Sequence, residues 1–198
     1  MKSPSGFFFN FKMMKKYLCF AFCVAFVSCQ QTATVNDAAS GEKADSSLVL
    51  SHKIDSFNRL ILNDSLNAAL YFDRAALHMK ARSLDPGLSD LQRAAELDPV
   101  NPNYWLKLGV LHYAMKKSRY ARDCWEKCSS LDVENIDCRL NLAEMYLAVG
   151  ELKKGQKRLN EVLDFDPKNS SALFLSGNYA LMEEDTVKAM KYIQAAIN

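Results

Sequence analysis

Six cysteines and three histidines are the residues of this chain best suited to bind a metal, form a covalent bridge or act as nucleophiles. Cys19 and Cys23 lie in an apolar N-terminal run and Cys29 closes it, leaving Cys124, Cys128 and Cys138 for the body of the chain. Cys124 and Cys128 are spaced i, i+4. On one helix their Cβ atoms would be about 5–6 Å apart, whereas a disulfide needs about 3.8 Å. Cys128 and Cys138 form the better-placed pair, and an oxidising compartment would permit a bridge. A structural zinc site takes four ligands, and no nearby histidine supplies the fourth. The expected state is therefore free, buried thiols, with the bridge and a metal site as alternatives. There is no glycine-rich phosphate loop, no nucleophile elbow and no His-Glu-x-x-His pattern. No catalytic residue, cofactor or metal is assigned. An enzyme or metal-binding reading built on Cys124, Cys128, Cys138 and His112 lacks a convergent ionisable pocket.

The N-terminus carries its own chemistry. Lys15-Lys16 precede an apolar stretch from Tyr17 to Val27, which is too short for a membrane span of about 20 residues and reads as a secretory signal over residues 1–28. Initiation at Met13 or Met14 would give a more ordinary signal. The run ends Phe26-Val27-Ser28-Cys29, which resembles a lipobox with Phe where Leu is usual. That resemblance implies a lipid-bearing Cys29 and a membrane anchor. Residues 29–44 are polar and without helical period, predicting a flexible tether of roughly 20 Å. Lipoproteins displayed on some bacterial surfaces carry an acidic signal after the cysteine, and Gln30-Gln31-Thr32 has none. The expectation is an exported outer-membrane lipoprotein of a bacterial envelope, facing the periplasm.

The elements that position everything else follow from composition and period. The 198 residues are 49% apolar with only seven Gly and five Pro, which excludes collagen-like and disordered chains. Four of the 25 basic residues and no acid fall in 1–28. That leaves 21 basic against 23 acidic residues from Cys29 onward, a net −2 that gives no reason to expect nucleic-acid binding. From Ala68 the chain repeats every 34 residues, in frames 68–101, 102–135, 136–169 and 170–198. Position 8 holds Ala75, Gly109, Ala143 and Gly177, and position 20 holds Gly87, Ala121, Gly155 and Ala189. Position 27 holds Ala94, Cys128, Val162 and Ala196. Such small residues let two helices approach closely. Asp98, Asp132 and Asp166 share position 31, and Asn67, Asn101, Asn135 and Asn169 share position 34. Each frame predicts two helices, for example about Asn103–Met115 and Arg119–Leu131, and in the first frame Asp85 can cap the second helix with Pro86 in its first turn. Residues 45–67, with Leu50, Ile54, Phe57 and Ile61 at helical spacing, predict a capping helix or degenerate repeat. His78 and His112 both fall at position 11 and read as packing residues, while His52 faces solvent. Lys153-Lys154 with Lys157-Arg158, and Glu183-Glu184-Asp185, read as solvated helix ends and turns.

Trp105-Leu106-Lys107-Leu108-Gly109 followed by Ala121 and Trp125, with the recurring Leu97-Asp98-Pro99 ending, resembles the tetratricopeptide repeat (TPR). The resemblance covers 68–198. Arg74 and Arg139 depart from it where Leu and Trp are expected. It implies an all-α fold, an α-solenoid of four helix-turn-helix repeats behind an N-terminal capping helix. It further implies a non-catalytic scaffold or adaptor that binds a protein or peptide partner in a concave groove lined by the first helix of each repeat. Carried over, the groove comprises Phe72, Met79 and Lys80; Leu106, Val110 and Tyr113; Asp137, Leu140, Glu144 and Leu147; and Phe174, Asn178 and Leu181. The basic clamp that one subclass uses for chaperone carboxylates is absent, with Phe72, Ala76, Asp137 and Asn141 in its place. Met190, Ile193 and Ile197 on the last helix are expected to be partly exposed, which makes a self-associating structural lipoprotein the alternative.

Overall fold

The computed structural model describes the backbone of residues 37–197 and the side chains of 47–197. The signal at 1–28 and the lipidation residue Cys29 lie outside the described residues. All described elements are helical: α1 (Asp37–Asn63), α2 (Ala68–Lys80), α3 (Leu84–Leu97), α4 (Pro102–Ala114), α5 (Ser118–Leu131), α6 (Ile136–Ala148), α7 (Leu152–Phe165), α8 (Ser170–Met182) and α9 (Thr186–Ile197). After α1 the helices form four antiparallel pairs, α2/α3 to α8/α9, each packed on the next. This is the all-α solenoid anticipated from the repeat. One boundary differs: α1 begins at Asp37, so residues 37–44, expected as tether, are helical.

The conserved spacing of Asp and Asn has a direct cause. Asn101, Asn135 and Asn169 are the N-caps of α4, α6 and α8, each accepting from a first-turn backbone N–H. The Asn135 and Asn169 amides also donate to Asp132 and Asp166, at 3.5 and 3.2 Å. One side-chain pair thus ends one repeat and starts the next, satisfying donors that a helix start leaves free. Inside each repeat the turn between helices places position 15 in the left-handed region: Arg82, Lys116, Gly150 and Glu184 have φ of 58, 62, 76 and 61°. That turn fixes where the second helix begins. α3 therefore starts at Leu84 with Ser83 as N-cap, and Asp85 lies inside the first turn rather than capping it.

The small-residue columns are contact points. A Cβ on Gly109 would come within 2.5 Å of Trp125 Cδ1, and one on Gly155 would overlap the Tyr179 ring and hydroxyl. Gly177 lies under Ile193, and Ala75, Ala94, Ala121 and Ala143 are fully buried. Trp125 donates its Nε1–H to Leu106 O at 3.2 Å, and Tyr179 its hydroxyl to Ala143 O at 2.5 Å. Buried aromatic rings thus carry their polar ends to backbone acceptors. The two departures from the repeat pattern are accommodated by ion pairs. Arg74 forks onto buried Asp90 at 2.8 and 2.5 Å and reaches Asn58 of α1 at 2.8 Å. Arg139 donates to Asn135 O and approaches Glu161 at 3.4 Å.

Candidate functional site

The first helices of the repeats, α2, α4, α6 and α8, carry the predicted groove, and the structure divides its residues into two kinds. Position 5 packs against the next first helix at Phe72, Leu106 and Leu140, buried at Leu106 and half-buried at the other two. Phe72 packs against Tyr104 in a tilted arrangement with ring centroids 5.1 Å apart. Leu106 is 7% exposed, in a core cluster with Cys138 and Leu142. Leu140 packs on the cluster holding Ala172 and Tyr179. Leu106 is thus a core residue, a correction to its assignment as a groove wall. Position spacing identifies the face but not how much the neighbouring helix hides. Met79, Val110, Tyr113 and Leu147 are likewise half-buried against these clusters, Tyr113 lying 5.6 Å from the Trp125 ring. On α8 the same positions are open: Phe174 is 52% and Leu181 49% exposed, with Met182 exposed and Asn178 half-buried beside them. Lys80, Asp137 and Glu144 are exposed polar residues farther up the array.

α9 continues the exposed apolar surface with Val187, Met190 and Ile197. Ile193, expected among these, is half-buried because it packs over Gly177. In the inner repeats the positions of Met190 and Ile197 are occupied by residues such as Gln156 and Leu163, which are half-buried beneath the following repeat.

The cysteines are corrected in turn. Cys128 and Cys138 form a disulfide, Cα atoms 6.2 Å apart, joining the end of α5 to the start of α6. The free-thiol expectation holds only for Cys124, which is buried and free, its thiol pushed up to about 11 by burial and by the nearby Asp123 charge. A thiol so far from ionisation is a poor nucleophile. With two of the three sulfurs oxidised, the zinc alternative also falls. Among the described residues no group of three or more His, Cys, Asp or Glu side chains is placed to hold a metal. His112 is buried and stacks on Tyr120 at 5.3 Å. Burial, helped by the Lys117 charge, lowers its pKa. His78 sits 3.8 Å from Asp90, and His52 is exposed as expected.

No protein-family model matches the chain. Among curated proteins it is 23% identical over 147 residues to the tetratricopeptide repeat-containing protein trd-1 of Caenorhabditis elegans, covering 74% of this chain and 19% of that protein. The chain spans about a fifth or less of the curated relatives it matches. Among solved structures, that of MamA superposes with a TM-score of 0.70 at 17% identity, covering 79% of this chain and 92% of MamA. YrrB, described as a TPR protein with an unusual peptide-binding site, superposes with a TM-score of 0.64 at 16% identity, covering 79% and 80%. The 34-residue period, the paired helices, the small-residue contacts and these superpositions agree that the chain has the fold of a tetratricopeptide-repeat solenoid.

Proposed function

We propose that the chain is a non-catalytic scaffold for protein–protein interaction, held in a bacterial envelope by a lipid on Cys29, that receives an apolar segment of a partner on the first-helix face at α8. The carrying observation is the contrast along one row: position 5 is buried at Leu106, half-buried at Phe72 and Leu140, and open at Phe174, with Leu181 open about two helical turns along α8. Exposed apolar clusters of this kind mark binding surfaces, and helix-in-groove docking uses such a wall. The peptide-binding description of YrrB supports the reading. The Cys128–Cys138 bridge supports export, because such bonds persist in oxidising compartments.

The test is crosslinked capture from native envelopes with the native chain and with Phe174→Glu, Leu181→Glu as baits. Half of a phenylalanine side chain still open to water, about 100 Å², is worth roughly 2.5 kcal/mol when a partner covers it. The paired substitution should abolish capture of a specific partner at unchanged helicity. Equal capture by both baits would remove α8 from the proposal. The exposed apolar residues of α9 favour a second reading, self-association. Light scattering of the purified chain that shows only monomer at high concentration would sink it.

A further inference from the structure

Two clefts on the described surface have basic linings, and they differ in what already neutralises them. The cleft between α5 and α7 is lined by Arg122, Lys154, Lys157 and Arg158 with Glu126 and Tyr146. Arg122 pairs with Asp123 at 2.8 Å, Arg158 with Glu161 at 3.1 Å, and Lys154 with Glu151. An incoming anion there would compete with resident carboxylates. The cleft between α1 and the C-terminal end of α2 encloses about 380 Å³ and is lined by Ser47, Leu50, Ser51, Ile54, Lys80 and Arg82 around Ala81. Its lining contains no acid, and neither Lys80 nor Arg82 has an ion-pair partner among the described residues.

The backbone positions that carry the two exposed cations are fixed. Lys80 ends α2, and Arg82 sits in the left-handed turn, its N–H donating to Met79 O at 3.0 Å while Ser83 N–H closes onto His78 O at 2.9 Å. Those bonds also occupy carbonyls at the end of α2 that would otherwise repel an anion. Across the cleft, Ser47 and Ser51 are one helical turn apart on α1, and Leu50 and Ile54 form a parallel apolar row. Two cationic and two hydroxyl donors suit a tetrahedral oxyanion, and the apolar row suits an alkyl-bearing ester. We propose that this cleft binds a phosphate group, supplied by the headgroup of an anionic phospholipid. The lipid source rests on the membrane-tethered reading above. α1 begins eight residues after Cys29, a span of at most roughly 29 Å when fully extended. The phosphate-binding chemistry does not depend on that reading.

The test uses the full-length chain in a non-ionic detergent, titrated with inorganic phosphate and, separately, with dihexanoyl phosphatidylglycerol, both followed by phosphorus NMR line broadening. Arg82→Gly removes one cation and keeps the left-handed turn, as Gly150 does in the third repeat. Lys80→Gln removes the other, and Lys116→Gly makes the Arg82 change in the next repeat as a matched control. Phosphate should bind to the native chain and to Lys116→Gly, and about tenfold more weakly to Arg82→Gly and Lys80→Gln. Phosphatidylglycerol should bind more tightly than phosphate and be weakened by the same two variants. Phosphate binding that depends on Lys80 and Arg82, with no gain from the lipid, would overturn the lipid source and leave a free-phosphate site. Binding that is equal in all four proteins, or absent from the native chain, would overturn the cleft itself. Mass spectrometry of the N-terminal cysteine from native envelopes reads the tether separately.

Discussion

Gly155→Ala separates helix propensity from close packing, because the two predict opposite signs. Gly155 lies within α7, where alanine is intrinsically better than glycine by about 1 kcal/mol. If propensity decided, the substitution would stabilise. The structure places the new methyl into the Tyr179 ring, with Cε1 at 2.8 Å and the hydroxyl closer still. Tyr179 has no exposed surface and cannot swing into solvent without opening the contact between α7 and α8. Overpacking a filled site costs about 1–3 kcal/mol. Moving the ring also breaks the bond to Ala143 O, and a buried acceptor left without its donor costs about 1–3 kcal/mol more. Less the propensity gain, the net expectation is a loss of about 1–5 kcal/mol. Urea unfolding followed by circular dichroism and by tyrosine fluorescence reads it as a lower midpoint at constant slope. In a Tyr179→Leu background the obstructing ring is gone, and Gly155→Ala should then be neutral or stabilising. A stabilising effect in the native background, or the same loss in both, would refute the packing argument.

Non-reducing peptide mapping should find Cys128 joined to Cys138, and reduction should cost roughly 2.7 kcal/mol in urea unfolding, the loop-entropy value for a separation of 10 residues. Stability should rise with pH as it climbs to and through the ordinary histidine value of about 6.5. His112 has a folded pKa lowered first by burial and then by Lys117, so the unfolded chain takes up the proton first as pH falls. His112→Asn should flatten that slope, and an unchanged slope would contradict the assignment. Asp90→Asn should destabilise by about 3 kcal/mol, because it leaves a part-buried Arg74 without its countercharge. Arg74→Leu with Asp90→Leu should recover most of that loss, and a double variant no better than the single would show that the ion pair is not the cause.

The features legible in the sequence are those in which one residue type has one physical use. Glycine at positions 109, 155 and 177 is required because an aromatic or β-branched side chain lies where a Cβ would be. Asparagine at 101, 135 and 169 is required because it caps a helix while bonding the preceding aspartate or its turn. Exposure was less legible. The same row holds Leu106 and Phe174 alike, yet Leu106 packs against α6 while Phe174 stays open. Sequence favours free thiols over the bridge because separation alone does not show that the end of α5 and the start of α6 bring positions 128 and 138 to a Cα distance of 6.2 Å. The start of α1 was missed for a related reason. Residues 37–44 lack an apolar period, and a helix can extend past its packed portion without one.

The kinds of interaction change along the array in a way that links stability to binding. At the start, α1 is tied to the first repeat through Asn58, Arg74 and Asp90, and in the middle a disulfide crosses from the second repeat to the third. At α8 and α9 neither device is present among the described residues, and apolar side chains face outward instead. In a solenoid each repeat is stabilised mainly by its neighbours. Among the described residues the α8/α9 pair packs against α6 and α7 alone, which gives it a low local opening free energy. A partner that covers Phe174 and Leu181 adds contacts there, so its binding free energy appears as local stability. At a free concentration of 100 times Kd this linkage contributes about 2.7 kcal/mol. Amide exchange in α8 and α9 should therefore slow by up to roughly a hundredfold when the partner is bound, while exchange in α4 and α5 stays unchanged. A partner that protected all helices equally would be acting on the global fold, and the α8 face would lose its claim to be the docking site.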